Sequence, residues 1–350
     1  MFLHHSCIWF FYLKTGRWQV PPSNLYTHFG QSSVAFFFMI TGFLFFSKLL
    51  DSRTRDVDWA KLFLSRILRL TPLYLFVMVL LFSIIAYLSD WTLNEPILKV
   101  VKDVVKWLGF TVLGAPDING VENAATIVAG VTWSLKYEWF FYLSLPVIAL
   151  LVNIRPPFVL IVLGVISALC LAVTHAEIIH LVAFLGGMFA SILVRWEVFC
   201  KLFVRRVFSL IILTCIVISV TVYPSAYDTV PMLLLSIAFI LIACGNNLFG
   251  VLDNPVSRTL GEKAYSIYLL HGIVLFVLFN FIIGIGESRL LSPLTHWLLV
   301  AGVTPILIVI CFFTFRFIER PAMESTNTLI NWFRSFHDFT LKRQILRTNK

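Results

Sequence analysis

Apolar runs alternate with short polar stretches along the whole of this chain. Runs at about 1–13, 32–50, 69–89, 132–152, 157–174, 178–195, 207–223, 231–248, 264–284 and 294–316 predict ten helices. Each except the first approaches the roughly 20 residues that cross a bilayer as a helix. The runs are continuous, with no period-two alternation, so helices are expected rather than a transmembrane barrel. The expected fold class is an all-α integral membrane bundle of about ten transmembrane helices, the first incomplete at its N-terminus. The membrane domain is expected over 1–321 and a basic cytoplasmic tail over 322–350.

Composition supports that class. The chain is 59% hydrophobic and 13% charged, whereas a soluble domain is nearer half apolar and about a quarter charged. The net charge of +9 does not point to nucleic acid, because the basic residues collect in particular loops. Lys48 with the segments 51–69, 153–156, 195–206, 249–263 and 316–350 holds twenty of the 27 Lys and Arg. The opposite segments hold six, and Lys136 completes the set. Acidic residues divide almost evenly, so the bias is the one that marks cytoplasmic loops. The C-terminus is thus expected in the cytoplasm. The six cysteines are scattered, with no CxxC or Cys/His spacing, which indicates neither a disulfide framework nor a metal site. Met1–Tyr12 lacks the basic start and cleavage motif of a secretory signal, and reads as the second half of a helix.

Candidate chemistry centres on 132–146, TWSLKYEWFFYLSLP. Helical spacing puts Ser134, Glu138 and Tyr142 on one face. A carboxyl group at that depth is costly in lipid, so Glu138 is expected to face protein or a water-filled cavity. Lys136 lies on the opposite side of the helix and is expected to snorkel to the outer surface. Glu138 is therefore expected to find its partner on another helix, either as a structural contact or as one wall of a polar site.

His4 and His5 lie about 15 Å below the outer surface if the first helix leaves the membrane near Lys14. Adjacent side chains diverge by about 100°, so one of the two is expected to face a given cavity. Neutral imidazole can take a proton from a hydroxyl and return it; an interhelical hydrogen bond is the structural alternative. Arg66 and Arg69 share a helical face just before Pro72 and Tyr74, as a positive-inside anchor or as an anion clamp suited to phosphate. Tyr265, Tyr268 and His271 share a broad face in the ninth span. The 90–131 loop is the longest outside, with a short interfacial helix expected within Ile97–Leu113. Gly186 and Gly187 are expected to serve close helix packing. Residues Leu329–Phe339, with Lys342, Arg343, Arg347 and Lys350, form an amphipathic basic tail expected to rest on anionic lipid.

These elements together resemble the acyltransferase-3 family of membrane O-acyltransferases, which modify extracytoplasmic glycans. His4 is similar to the family's first-helix histidine in its FLHH context. GQSSVAFFFMITGF, SRILRLTPLY, TWSLKYEWFFYLSLP, YSIYLLHG and FIERP, which ends at Glu319, Arg320 and Pro321, are similar to its further motifs, in the same order. The resemblance spans nearly the whole chain. One departure concerns the family's arginine about ten residues before that histidine, whose position here would precede Met1. An in-frame upstream segment carrying it is expected; an inactive chain is the alternative.

The resemblance implies an acetyl transfer from cytoplasmic acetyl-CoA, the donor substrate, to a hydroxyl of a bacterial surface polysaccharide or lipid-linked glycan. No permanently bound cofactor, metal or nucleic acid is implied, and the setting would be a bacterial inner membrane. His4 would be the general base, with His5 as its fallback, an acyl-histidine as the mechanistic alternative, and Glu138 orienting the base or the acceptor. Arg66, Arg69 and Tyr74 would hold the donor. Trp133, Ser134, Tyr142, Tyr268 and His271 would line the acceptor path, beneath the 90–131 loop. A glycan flippase or transporter is the rival class, although no internal repeat appears.

Overall fold

A computed structural model describes residues 1–54, 56–173 and 177–335. No strand stands among them, and a helix stands at each of the ten predicted positions. These are α1 (Phe2–Thr15), α2 (Asn24–Asp51), α3 (Trp59–Leu88), α5 (Trp133–Leu150), α6 (Phe158–Val173), α7 (Ile178–Leu193), α9 (Arg206–Val222), α10 (Thr229–Ala243), α12 (Ala264–Val277) and α14 (Pro293–Thr314). Short helices lie between and after them: α4 (Ile97–Leu108), α8 (Glu197–Phe203), α11 (Pro255–Glu262), α13 (Ile285–Leu290) and α15 (Arg320–Glu324).

By length and composition, four helices can cross a membrane: Asn24–Asp51, Trp59–Leu88, Ala264–Ile282 and Pro293–Ser335. A fifth results if α7 and α8, bent by 106° at their break, count as one span. The expected count of about ten crossings is not reached by that measure. The helices α6, α9 and α10 are apolar but only 15 to 17 residues long. In α5 the polar residues Lys136, Tyr137 and Glu138 dilute the apolar run.

Two pairs of close approaches fix the centre of the bundle. A Cβ on Gly187 would sit 1.9 Å from the carbonyl oxygen of Met39, and one on Gly42 would sit 2.3 Å from that of Phe184. The α2 and α7 backbones therefore touch, which any side chain would prevent. Gly186 faces the Ser236 side chain of α10, where a Cβ would come within 2.7 Å of the hydroxyl oxygen. The expected packing role of both glycines holds. The helix α1 ends at Gly16, whose φ of +70° turns the chain out of the helix while its amide donates to Tyr12.

The 90–131 loop is a docked structure. Trp107 of α4 is fully buried, and its indole donates to the carbonyl of Pro116 at 2.8 Å. The following turn, Ala124–Val128, lies on α12 at Gly272, where a Cβ would come within 2.3 Å of Val128. Beyond α14 the backbone winds through a π-helical stretch, Phe315–Glu319, and stays helical to Ser335. The first part of the expected tail is thus packed helix, and Arg334 pairs with Asp58 at the start of α3 at 2.6 Å. Asp58 caps α3 by accepting the Lys61 amide. Burial alone would raise the Asp58 carboxyl, but that amide and Arg334 hold it below its usual value. Arg55 of the basic loop and the tail beyond Ser335, including Lys342, Arg343, Arg347 and Lys350, lie outside the described residues.

Candidate active site

Two cavities lie along α2, one at each end of a stretch of about 22 Å between Gly30 and Phe45. The first has a volume of about 440 Å³. His4, His5, Gln31, Trp133, Lys136, Glu177 and His180 line it. The second, about 430 Å³, runs between α2, α3, α5 and α12, with Arg66, Arg69, Glu138, Tyr142 and Tyr268 among its walls. Both cavities are bounded by Met1 and Val34.

The position of His4 is set by the residues around it. Its ring sits against Gly30, where a Cβ would come within 2.5 Å of the imidazole. Its Nδ1 lies 2.7 Å from the carbonyl oxygen of Tyr26. A carbonyl only accepts, so Nδ1 carries the hydrogen and Nε2 is left as the acceptor of a neutral ring. The same logic runs through a chain of imidazoles. The Nδ1 of His271 lies 2.8 Å from the carbonyl of Ile267, and its Nε2 lies 2.9 Å from Nδ1 of His5. His271 donates from Nδ1 and accepts at Nε2, so His5 donates from Nδ1 and its own Nε2 is an acceptor. Both N-terminal histidines border one cavity, with ring centres 4.8 Å apart. The expectation that only one would do so fails, since both line it.

The carboxyl group of Glu138 is buried and accepts from the Tyr142 hydroxyl one turn along its own helix. Arg66 and Arg69 of α3 act on it electrostatically across the cavity, as expected of a partner on another helix, while Oε2 has no hydrogen-bond partner among the described residues. Glu138 and Tyr142 line the cavity of the arginines, away from His4. Lys136 was expected at the outer surface. It is half-buried over the Tyr137 ring at 5.2 Å and lines the histidine cavity.

Arg66 lies over the Phe45 ring at 4.9 Å, donates to the Tyr142 hydroxyl and acts electrostatically on Glu138 in the same cavity wall. Arg69 is tied down instead. Its Nη1 is 3.3 Å from Oε2 of Glu319, whose Oε1 accepts from Ser266. Glu319 is fully buried on the π-helical stretch after α14, so that turn anchors the arginine. The Tyr265 hydroxyl donates to the carbonyl of Leu70 at 2.9 Å. Sequence reasoning placed Glu319 in a motif but gave it no partner.

The remaining candidates separate. Trp133 borders the histidine cavity and Tyr268 the arginine cavity. Ser134 is buried behind Tyr268, its Oγ 2.6 Å from that hydroxyl. His271 acts through His5. Tyr74 reaches neither cavity: it is fully buried, donates to the Trp107 carbonyl at 2.5 Å and stacks on Phe110, so it fastens the 90–131 loop. That loop lines neither cavity. Glu177, His180 and Tyr227, which sequence reasoning passed over, line the histidine cavity instead. Their signal was available as a Glu/His pair three residues apart at the start of a span.

No curated protein and no solved structure matches the chain. The family model described as an acyltransferase domain matches residues 1–316 of the 350. With helices long and apolar enough to cross a membrane, and with that match over nine-tenths of its length, the chain belongs to the acyltransferase-3 family of membrane acyltransferases.

Proposed function

We propose that this protein is an O-acetyltransferase that moves an acetyl group from cytoplasmic acetyl-CoA to a hydroxyl of an extracytoplasmic glycan. Nine of the ten predicted helices cross a bacterial inner membrane in this reading and the first is the incomplete part of a tenth span, with Arg66, Arg69 and the C-terminus on the cytoplasmic side. The Lys and Arg bias of the loops supports that orientation. The observation that carries the reading is the pair of cavities with Val34 in the wall of both. One has the arginines a polyphosphate needs, and the other has the imidazoles a hydroxyl needs.

The donor's phosphates dock at Arg66 and Arg69. Its thioester arm lies along Phe37, Ile40 and Leu44 toward Val34. The acceptor hydroxyl sits against Nε2 of His4, which takes its proton. The hydroxyl oxygen forms a bond to the thioester carbonyl carbon, the carbon–sulfur bond breaks, and the leaving thiolate receives the proton from His4. General base catalysis of this kind contributes about 10²–10⁴ in rate. The His271–His5 pair keeps a second acceptor nitrogen beside the first.

The test uses the full chain in lipid nanodiscs with radiolabelled acetyl-CoA and a bacterial surface polysaccharide. Acetyl transfer by the wild type and its loss in His4→Ala support the reading. Transfer that survives both His4→Ala and His5→Ala overturns the base assignment. An absence of transfer by the wild type, with glycan still moved across the bilayer, overturns the activity.

A further inference from the structure

The cavity of His4 is also lined by residues that the proton transfer does not use. His180 is buried there, with its Nε2 3.3 Å from Oε2 of Glu177. Rings enclose the imidazole: Tyr227 at 4.6 Å, Tyr137 at 4.8 Å, Trp133 at 5.0 Å and Phe38 at 5.8 Å. Glu177 is 66% exposed beside this buried ring, so its carboxylate keeps free lone pairs at the cavity. Gln31 adds donors. Its Oε1 accepts from Ser225 and from the amide of Ala226, which fixes its carboxamide and leaves the NH₂ group unspent.

We propose that Glu177 and His180, with the Trp133 and Tyr227 rings beside them, form a recognition subsite for a pyranose bearing adjacent free hydroxyls. This rests on the reading of the cavity as the acceptor's. A sugar ring has an apolar C–H face and a polar edge. The rings supply a surface for the first, and a carboxylate next to Gln31 donors supplies acceptor and donor for the second. A hydrocarbon chain is a poor occupant, because it would strip water from Gln31, Lys136 and Glu177 and give nothing back. The carboxyl group of the arginine cavity, Glu138, is buried and lies among two arginines, whereas Glu177 is exposed. Glu177 and His180 are positioning residues here, since neither touches the reacting atoms.

The experiment titrates methyl α-D-glucopyranoside, methyl α-D-galactopyranoside and methyl α-L-rhamnopyranoside onto the full chain in nanodiscs, read by tryptophan fluorescence. Acetyl-CoA and hexane-1,2-diol are titrated in parallel. The expected result is saturable binding of at least one pyranoside, weakened about tenfold in Glu177→Gln and in His180→Asn, the loss of one good polar contact. Glu177→Gln changes an exposed side chain, so it reports even if His180→Asn misfolds. Hexane-1,2-diol should not compete. Saturable acetyl-CoA binding without binding of any pyranoside, or pyranoside binding indifferent to Glu177→Gln, overturns the subsite and leaves the acyltransferase reading standing. Failure of acetyl-CoA itself to bind overturns that reading, and the subsite with it.

Discussion

The two cavities share Met1 and Val34 yet are built from different materials. The histidine cavity gathers side chains from α1, α2, α5, α7 and the segment before α10, and holds its imidazoles by backbone carbonyls and aromatic edges. The arginine cavity is a longer apolar slot with two cations and a buried carboxyl group along it. Helix packing alone would make both apolar. A flexible thioester arm with phosphates at one end fits the second. A compact hydroxylated ring fits the first. In the proposed reading the contrast divides substrate chemistry along α2, with the transfer at the boundary.

The largest effect that can break this contrast is at His4. His4→Ala should lower acetyl transfer by about 10²–10⁴-fold while leaving the donor KM near wild type, measured by initial rates. An equal fall in donor affinity would mean that the cavities do not work separately. Gly30→Val follows, since its Cβ would overlap the His4 ring; a misplaced base should cost about 10²-fold in kcat.

The arginines sharpen the other side. Arg66→Ala and Arg69→Ala should each raise the donor KM about tenfold, as the loss of one charged contact predicts. Only Arg69→Ala should also destabilise the fold, by about 3 kcal/mol, because it leaves Glu319 buried and without its cation. A thermal-shift comparison of the two variants checks this. The smallest effect is Tyr74→Phe, which removes the bond to Trp107 and should cost about 1 kcal/mol with both KM values unmoved.

Helix positions were legible because apolar runs speak locally, and Arg66 and Arg69 because an i,i+3 pair shares a face whatever packs on it. Burial of Glu138 implied a second helix, and Arg66 and Arg69 of α3 act on it electrostatically; the added bond from Tyr142 one turn away was legible only as a shared face. Lys136 was assigned outward because it lies opposite Glu138; the histidine cavity occupies that side as well. The spacing of His4 and His5 could not reveal that both line one cavity. The roles of Tyr74 and Gly272 depend on where the 90–131 loop docks, which no run of residues within it encodes. His180 looked like any histidine at a span's edge until Trp133 and Tyr227 closed on it from distant helices. Residues that act through neighbours in sequence were readable, and those that act through neighbours in space were not.

The claim that donor and acceptor occupy separate cavities is tested most directly by a structure of the full chain with a non-hydrolysable acetyl-CoA analogue. The account predicts the analogue's phosphates against Arg66 and Arg69 and its acyl end at Val34, with the His4–His180 cavity still open. An analogue seated between His4 and His180, with the arginine slot empty, would contradict it.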